Sequence, residues 1–303
     1  MIRLALVGFG KWGKNYISAA ESTGLAKVTT LVIRPNSSKW LDLDTTSFKC
    51  TSDIDELDID AAIVAIHPGE NVSVCCKLLN NKIPVLVEKP LALSIEDAIK
   101  IENCAINANV QFMVNHQHLY SNAYQEILKI IKHEEILAIN TKAGNLGPYR
   151  DYSSIWDYGP HDIAMIFGIN KNPLKLNTIK QKVNNKLGSS YYFEFIKNNK
   201  FYSSTEIWND TLPKKRLLEI KLKNKSIVYD DTLIINKLSV NGMPVPLLET
   251  LPLTNTLSFF LSAIKNNVEL SSQDNYVFTD NVGIIKTISM IENKKLLTNP
   301  YLL

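Results

Sequence analysis

The stretch "IRLALVGFGKWG", residues 2–13, decides the fold of this chain of 303 residues. Its first half is a short run of branched apolar residues, which is typical of a buried strand ending at Gly8. Gly8, Gly10 and Gly13 then form the spacing G-x-G-x-x-G, and a stretch with helical periodicity follows. This spacing permits a tight turn, the approach of a pyrophosphate to the backbone, and close packing of helix on strand. We therefore predict a dinucleotide-binding βαβ unit here, in preference to a plain glycine turn.

The remainder of the first 120 residues repeats the alternation of strand and helix. Four more short apolar runs have the character of buried strands, and helical stretches lie between several of them. These runs are "KVTTLVI", "DAAIVAI", "PVLVE" and "VQFMVN". Such alternation is typical of parallel βαβ units in a doubly wound sheet. The sequence thus predicts an α/β Rossmann domain that binds the dinucleotide, over residues 1–120.

The pattern changes after residue 120. Longer runs alternate apolar and polar residues, and turn-forming Asn-Lys, Asp-Asp and Gly residues join them. These runs are "ILAINTKAG", "LKLNTIKQKV", "SSYYFEFIK", "FYSSTEIW", "RLLEIKLK", "KSIVYD" and "TLIINK". They predict a mostly antiparallel sheet with one wet face, and helical signals return near the carboxyl end. We predict an α+β domain with a large open sheet over residues 121–303.

Composition argues against several classes of function. The net charge is only +3 and the lysines are spread along the chain, so no basic patch points to nucleic acid. No apolar run approaches the ~20 residues of a membrane span, and glycine interrupts the amino-terminal run too early for a secretory signal. Cys50, Cys75, Cys76 and Cys104 form no CxxC pair, and we expect four reduced thiols and no metal site. These features predict a cytoplasmic protein.

The end of the second predicted strand indicates the type of dinucleotide. NAD-binding units usually carry an acid there, which holds the ribose 2′-hydroxyl. This chain has Arg34 instead, followed by Ser37 and Ser38, and a guanidinium with two hydroxyls suits a 2′-phosphate. We predict NADP as the cofactor, with NAD as the alternative. The plain interpretation of Arg34 is a solvated loop residue.

A second stretch, "VLVEKPLALS" at residues 85–94, places Lys89 just after a buried-type strand. In this architecture ligands bind at the carboxyl edge of the parallel sheet. Ser94 and Asp97 have the spacing of a helix cap, so we expect the next helix to begin there. By periodicity alone, Lys89 is an exposed loop lysine.

A third stretch, "WDYGPHD" at residues 156–162, sets Asp157 and His161 four positions apart around Pro160. Proline is favoured as the first residue of a helix, which predicts a helix beginning at Pro160. His161 would then lie in the first turn, where the positive helix end keeps an imidazole neutral and able to accept a proton. In the alternative interpretation, Asp157 is a helix cap and His161 a surface residue.

Together the three stretches resemble the Gfo/Idh/MocA family (glucose-fructose oxidoreductase, inositol dehydrogenase and rhizopine catabolism). The resemblance covers nearly the whole chain and implies a Rossmann domain followed by an open, mostly antiparallel sheet. It also implies that Lys89 lies beside the nicotinamide and the reacting hydroxyl, and that Asp157 and His161 are the family's acid–imidazole pair. "GKWGKN" resembles the subset of the family that acts on sugar nucleotides.

The resemblance implies hydride transfer between nicotinamide and a hydroxyl or ketone of a sugar or sugar nucleotide. In oxidation His161 would take the hydroxyl proton, Lys89 would stabilise the oxygen, and Asp157 would align these groups. Which of Lys89 and His161 moves the proton stays open, as do the sugar, the reacting carbon and the direction. The alternatives are a non-catalytic dinucleotide-binding sensor or regulator of the same fold, and an imine or diketone reductase.

Further residues are candidates for the cofactor and substrate pockets. Where relatives carry T-P-x-x-x-H, this chain has "IHPGENV": His67 replaces the Thr, Pro68 is kept, and Asn71 or Val72 replaces the His. Expected cofactor contacts are Gly8, Gly10, Lys11, Trp12, Gly13, Arg34, Ser37, Ser38, His67, Pro68, Glu88, Lys89 and Asn115. Expected substrate contacts in and near the second domain are His116, His118, Tyr120, Tyr149 and Arg150. An apolar second face of the open sheet would suit a homodimer or homotetramer contact.

Overall fold

A computed structural model places most of the chain. It describes residues 1–38, 40, 46–55, 57–170, 174–184, 188–210, 212–248 and 250–294. The chain forms two compact units, the first made of residues 1–120 and 250–277, the second of residues 121–249 and 278–303.

The first unit contains a six-stranded sheet in the order β3-β2-β1-β4-β5-β6. All five pairings between neighbouring strands are parallel. The strands are β1 (Ile2–Val7), β2 (Ala26–Val32), β3 (Lys49–Thr51), β4 (Ala61–Val64), β5 (Val85–Glu88) and β6 (Phe112–Asn115). Strands β4 and β5 are buried along their whole length, which is what helices on both faces of a parallel sheet require. The predicted doubly wound Rossmann sheet is confirmed, whereas the three-residue β3 was not anticipated.

Three helices follow the strands of the first unit: α1 (Asn15–Thr23), α2 (Asn71–Asn80) and α3 (Ile95–Ala108). Helix α1 ends at Gly24, whose φ of 65° is accessible to glycine at little steric cost. At the start of α3 the Ser94 hydroxyl accepts a hydrogen bond from the Asp97 amide at 3.1 Å. The predicted S-x-x-D cap is therefore formed.

Helices α2 and α3 pack side by side and carry a disulfide between Cys76 and Cys104, with Cα atoms 5.4 Å apart. The prediction of four reduced thiols is wrong for this pair, while Cys50 and Cys75 form no disulfide with any of the described residues. The two cysteines are 28 residues apart in sequence, and only the packing of the two helices brings them together. Burial raises the pKa of the Cys75 thiol to about 12.

The segment 250–277 also belongs to the first unit, whereas the second domain was predicted to run unbroken from 121 to 303. Its helix α6 (Pro252–Asn266) packs on α1 and β6 through a buried apolar face. Two amides fix it further: Gln111 Nε2 donates to the Val268 carbonyl at 2.7 Å, and Asn255 Nδ2 to the Tyr120 carbonyl at 2.9 Å. No shift in composition marks this return of the chain.

The second unit contains an eight-stranded sheet in the order β14-β13-β12-β11-β7-β10-β9-β8. Neighbours pair antiparallel except β7 and β10, which are parallel. The strands are β7 (Ile136–Gly144), β8 (Lys175–Asn184), β9 (Gly188–Lys197), β10 (Lys200–Trp208), β11 (Lys215–Leu222), β12 (Ser226–Asp230), β13 (Leu238–Val240) and β14 (Met243–Pro244). The predicted large, mostly antiparallel sheet is confirmed.

Three helices belong to this unit: α4 (Asn122–Ile131), α5 (Ser154–Ile169) and α7 (Asn281–Glu292). Helix α5 packs on β7, β9 and β10, and the inward residues of these strands are buried. Residues of the opposite parity form polar pairs instead, such as Ser204 with Asn140 at 2.9 Å and Lys142 with Glu206 at 3.0 Å. This face thus carries polar pairs among its described residues, and the expected oligomer contact stays a prediction.

One connection of this sheet is a tight hairpin formed by asparagines, and one of the predicted strands is a loop. Asn198 and Asn199 join β9 to β10 with φ values of 52° and 59°, as in a two-residue type I′ hairpin. The connection from β8 to β9 lies outside the described residues. "TLIINK", residues 232–237, is not the predicted strand, because Asp230 Oδ1 accepts from the Thr232 amide at 3.0 Å and turns the chain.

Candidate active site

The glycine loop has the geometry that its spacing predicts. Gly8 has a φ of 97°, and an added Cβ would lie 2.4 Å from the Ala65 carbonyl oxygen. At Gly13 an added Cβ would lie 2.4 Å from the Gly8 carbonyl oxygen, so both positions need glycine. At Gly10 an added Cβ would meet no atom within 4 Å. The backbone is therefore tightly packed at Gly8 and Gly13, whereas Gly10 leaves the space that the approach of a pyrophosphate requires.

A buried hydrogen-bond cluster ties this loop to the carboxyl ends of β5 and β6. Glu88 Oε1 accepts from Trp12 Nε1 at 2.6 Å, from the Tyr16 hydroxyl at 2.5 Å and from Asn115 Nδ2 at 2.7 Å. Asn115 Nδ2 also donates to the Tyr16 hydroxyl at 2.7 Å. Burial, together with the nearby Glu88, raises the pKa of Tyr16 well above its ordinary value. We call Trp12, Tyr16, Glu88 and Asn115 the Glu88 cluster; sequence reasoning missed Tyr16.

Lys89 is the next residue after this cluster and is half-buried at the end of β5. Its peptide bond to Pro90 is cis. The side chain therefore starts from the carboxyl edge of the sheet, one residue from the group that anchors the glycine loop. This is the position predicted for it.

Arg34 lies two residues beyond β2, in an exposed turn with Ser37 and Ser38. The turn is closed by the Ser37 amide, which donates to the Arg34 carbonyl at 3.1 Å. The guanidinium Nη1 lies 3.2 Å from Glu70 Oε1, in the loop after β4. Strands β2, β1 and β4 are neighbours, so this ion pair lies at the sheet edge that also carries the glycine loop.

The residues after β4 serve their own turn. His67 Nδ1 accepts from the Gly69 amide at 3.2 Å and caps a 3₁₀ turn over Pro68–Glu70. Pro68 is buried in that turn. In this geometry the His67 side chain organises the backbone of the loop.

His116, His118 and Tyr120 are all buried, the last two in a 3₁₀ turn over Gln117–Tyr120 that follows β6. The Tyr120 ring packs on Phe259 with ring centroids 4.7 Å apart, and burial raises the pKa of its hydroxyl. The expected contacts of these three residues with a substrate stay a prediction.

Helix α5 of the second unit carries both Asp157 and His161, which are 8% and 5% exposed. The helix begins at Ser154, so the predicted start at Pro160 is wrong and Pro160 lies inside it. Residues four apart on a helix share a face, so the two side chains are neighbours one turn apart. The positive helix end acts on Asp157, in the first turn, and not on His161 as predicted.

A proline inside a helix removes one backbone hydrogen bond, yet α5 continues through it. The reason is burial: every residue from Ser154 to Ile166 except Tyr158 is buried. Trp156 Nε1 and the Ser153 hydroxyl also donate to the two carboxylate oxygens of Glu292 on α7, at 2.8 and 2.6 Å. Packing and these anchors outweigh the local preference of Pro160 for a helix start.

Two ion pairs flank the acid–imidazole face. Arg150 Nε lies 3.3 Å from Asp157 Oδ2, with the arginine side chain half-exposed. Arg216 Nη1, on β11, lies 2.5 Å from Asp162 Oδ2 in a buried pair that sequence reasoning missed. Burial raises the pKa of Asp162 against the opposing effect of Arg216. The pair of Asp162 and Arg216 links α5 to β11. Tyr149, an expected substrate contact, is 49% exposed.

The described residues contain no helix long and apolar enough to cross a membrane. Among the same residues no group of three His, Cys, Asp or Glu side chains is arranged to hold a metal ion.

Comparison with known proteins adds three kinds of similarity. Residues 2–116 match the family model GFO_IDH_MocA, described as an oxidoreductase family with an NAD-binding Rossmann fold. A 2,7-anhydro-N-acetylneuraminate hydratase of Escherichia coli (strain K12) is 30% identical over 149 residues, 47% of this chain and 40% of that protein. The matched part therefore spans less than half of that relative.

Solved structures extend the likeness to almost the whole chain. A putative oxidoreductase of Magnetospirillum magnetotacticum MS-1 is 23% identical with a TM-score of 0.78, over 95% of this chain and 98% of that one. A UDP-N-acetylglucosamine 3-dehydrogenase of Acidithiobacillus ferrooxidans is 14% identical with a TM-score of 0.77, over 97% and 96% of the two chains. At these identities the likeness establishes the two-domain fold.

Proposed function

We propose that the protein is a dehydrogenase or reductase of sugars or sugar nucleotides, a proposal supported by the match of residues 2–116 to the GFO_IDH_MocA oxidoreductase model. It transfers hydride between nicotinamide and a hydroxyl or ketone carbon. The observation that carries the proposal is the Glu88 cluster, which joins the open glycine loop to the residue before Lys89.

The residues of the first unit fit a dinucleotide. Gly10 leaves open space in the glycine loop, and the turn after β2 offers the Arg34 guanidinium with Ser37 and Ser38 beside it. We propose that this turn holds a 2′-phosphate, so that NADP is preferred over NAD. When bound, the nicotinamide supplies the hydride acceptor or donor.

The chain's own residues move the proton and orient the substrate. In the direction of oxidation, His161 accepts the proton of the substrate hydroxyl, and the Lys89 ammonium donates a hydrogen bond to the same oxygen. Asp157, one helical turn before His161, orients the imidazole and holds Arg150. That Lys89 and His161 contact the same substrate oxygen is part of the proposal.

The substrate class is supported by what similar proteins are named for. One solved structure of the same fold is a UDP-N-acetylglucosamine 3-dehydrogenase, and the relative from Escherichia coli is named for a derivative of N-acetylneuraminate. That relative is named a hydratase, so addition of water without net change of the cofactor is a second candidate reaction.

The test combines purified protein with NAD and NADP and a panel of sugars and sugar nucleotides. A dehydrogenase gives a lasting change in the absorbance of the reduced nicotinamide, whereas a hydratase gives a product heavier by one water molecule and no lasting change. Lys89→Ala should lower turnover at least about 100-fold and leave the dinucleotide Kd within about twofold. Tight dinucleotide binding without turnover of any substrate, unaltered by Lys89→Ala, would instead indicate a sensor or regulator.

A further inference from the structure

We propose that Asn71 is a positioning residue that fixes the loop from which Lys89 acts. Asn71 is the first residue of α2, directly after the turn Pro68–Glu70. Its Nδ2 donates to the Leu91 carbonyl at 3.0 Å and lies 3.4 Å from the Pro90 carbonyl. This inference rests on the proposed function, in which Lys89 contacts the reacting oxygen.

The environment of Asn71 shows which part of the side chain is used. The residue is 2% exposed, and Pro90 and Leu91 are buried as well. Its other amide atom, Oδ1, is buried and accepts no hydrogen bond from the described residues. A buried acceptor without a donor is destabilising, so an apolar residue of similar size would suit packing better. An apolar residue would lack only the Nδ2 donor, which bonds the Leu91 carbonyl and lies near the Pro90 carbonyl.

Lys89 is thereby held from both sides. The preceding residue, Glu88, accepts three hydrogen bonds in its cluster, and the two following carbonyls face Asn71. Downstream, the Ser94 cap fixes the start of α3. The loop after β4, which carries the predicted cofactor contacts His67 and Pro68, thus determines through Asn71 where the Lys89 backbone lies.

The test compares Asn71→Leu, which keeps the size and removes the donor, with Cys75→Ala. Cys75 is buried on the same helix, so its truncation lowers stability without removing a bond to the loop. For Asn71→Leu we expect kcat to fall about tenfold with the dinucleotide Kd within about twofold, since displacement of a catalytic group acts on the chemical step. Cys75→Ala leaves a cavity and should lower Tm while keeping kcat near wild type, which separates a loss of stability from a loss of positioning.

A second readout needs no substrate. Hydrogen exchange of the amides of residues 91–93 should become faster in Asn71→Leu and stay unchanged in Cys75→Ala. If Asn71→Leu keeps both the wild-type exchange rates and the wild-type kcat, the positioning role of Asn71 is overturned and the proposed function is not affected. A kcat loss that matches that of Cys75→Ala would overturn it too. Full turnover in Lys89→Ala would overturn the proposed function, and with it the catalytic meaning of Asn71.

Discussion

One carboxylate oxygen of Glu88 accepts three hydrogen bonds, at the point where the glycine loop meets the sheet. A charged acceptor makes stronger hydrogen bonds than a neutral one. A glutamine at position 88 would instead place its own N–H groups close to the three donors that now bind Glu88, and some of these groups would lose their partners. The carboxylate is therefore expected to stabilise both the fold and the shape of the cofactor loop.

We predict that Glu88→Gln lowers the free energy of unfolding by roughly 2 kcal/mol and weakens dinucleotide binding several-fold. Urea unfolding and fluorescence titration measure the two effects. The matched control is Glu21→Gln on α1, an exposed site where the same change should alter stability by less than about 0.5 kcal/mol. Equal stability losses in the two variants would contradict the role given to Glu88.

Arg34 and Glu70 form an exposed ion pair at the same edge of the sheet. If the guanidinium holds a 2′-phosphate, Arg34→Ala weakens NADP far more than NAD. Glu70→Gln releases the guanidinium from a pair of this exposed kind, which is worth at most about 1 kcal/mol, and should tighten NADP up to about fivefold.

Titration of both dinucleotides against both variants checks this prediction. Arg3→Ala serves as the control, because Arg3 is an exposed arginine near the amino end of β1 and pairs with Asp58 and Asp60. Equal losses of NAD and NADP affinity in Arg34→Ala would reject the phosphate assignment.

Single residues were predictable where their chemistry is local. Gly8, Gly10 and Gly13 follow from spacing alone, and Ser94 follows from its distance to Asp97. Tyr16 and Arg216 were missed because their partners, Glu88 and Asp162, are 72 and 54 residues away, and no local pattern reports such a contact.

At the scale of elements, helix α5 sets the relative positions of Asp157 and His161, which lie one turn apart on it. Its start was misplaced because Pro160 gives a strong local signal, while the burial that overrides that signal is tertiary. The strands of the Rossmann sheet were predicted because buried apolar runs are distinct in sequence. Residues 232–237 have the same apolar character, yet Ile234 is 87% exposed and the segment is a loop.

The buried pair of Asp162 and Arg216 should hold α5 on the sheet. We predict that Asp162→Ala costs about 3–5 kcal/mol, because it leaves a buried guanidinium without its counter-charge. The double variant Asp162→Leu, Arg216→Met removes both charges and should recover most of that loss. Thermal or urea unfolding of wild type, single and double variants measures this. A double variant as unstable as the single one would contradict the account.

At the scale of the whole molecule, sequence predicted two units of the correct classes and the change of pattern at residue 120. It did not predict that residues 250–277 rejoin the first unit, because a buried helical face looks alike on either unit. The Cys76–Cys104 disulfide was missed for a similar reason, since helix neighbours are set by packing.

The central proposal is that Lys89 and His161 act on one substrate oxygen. A crystal structure of the protein with NADP and a turned-over sugar substrate tests it most directly. The account predicts Lys89 Nζ and an imidazole nitrogen of His161 both within about 3 Å of the same substrate oxygen, which itself lies against the nicotinamide. A substrate that contacts neither group, or that contacts them through different oxygens, would contradict it.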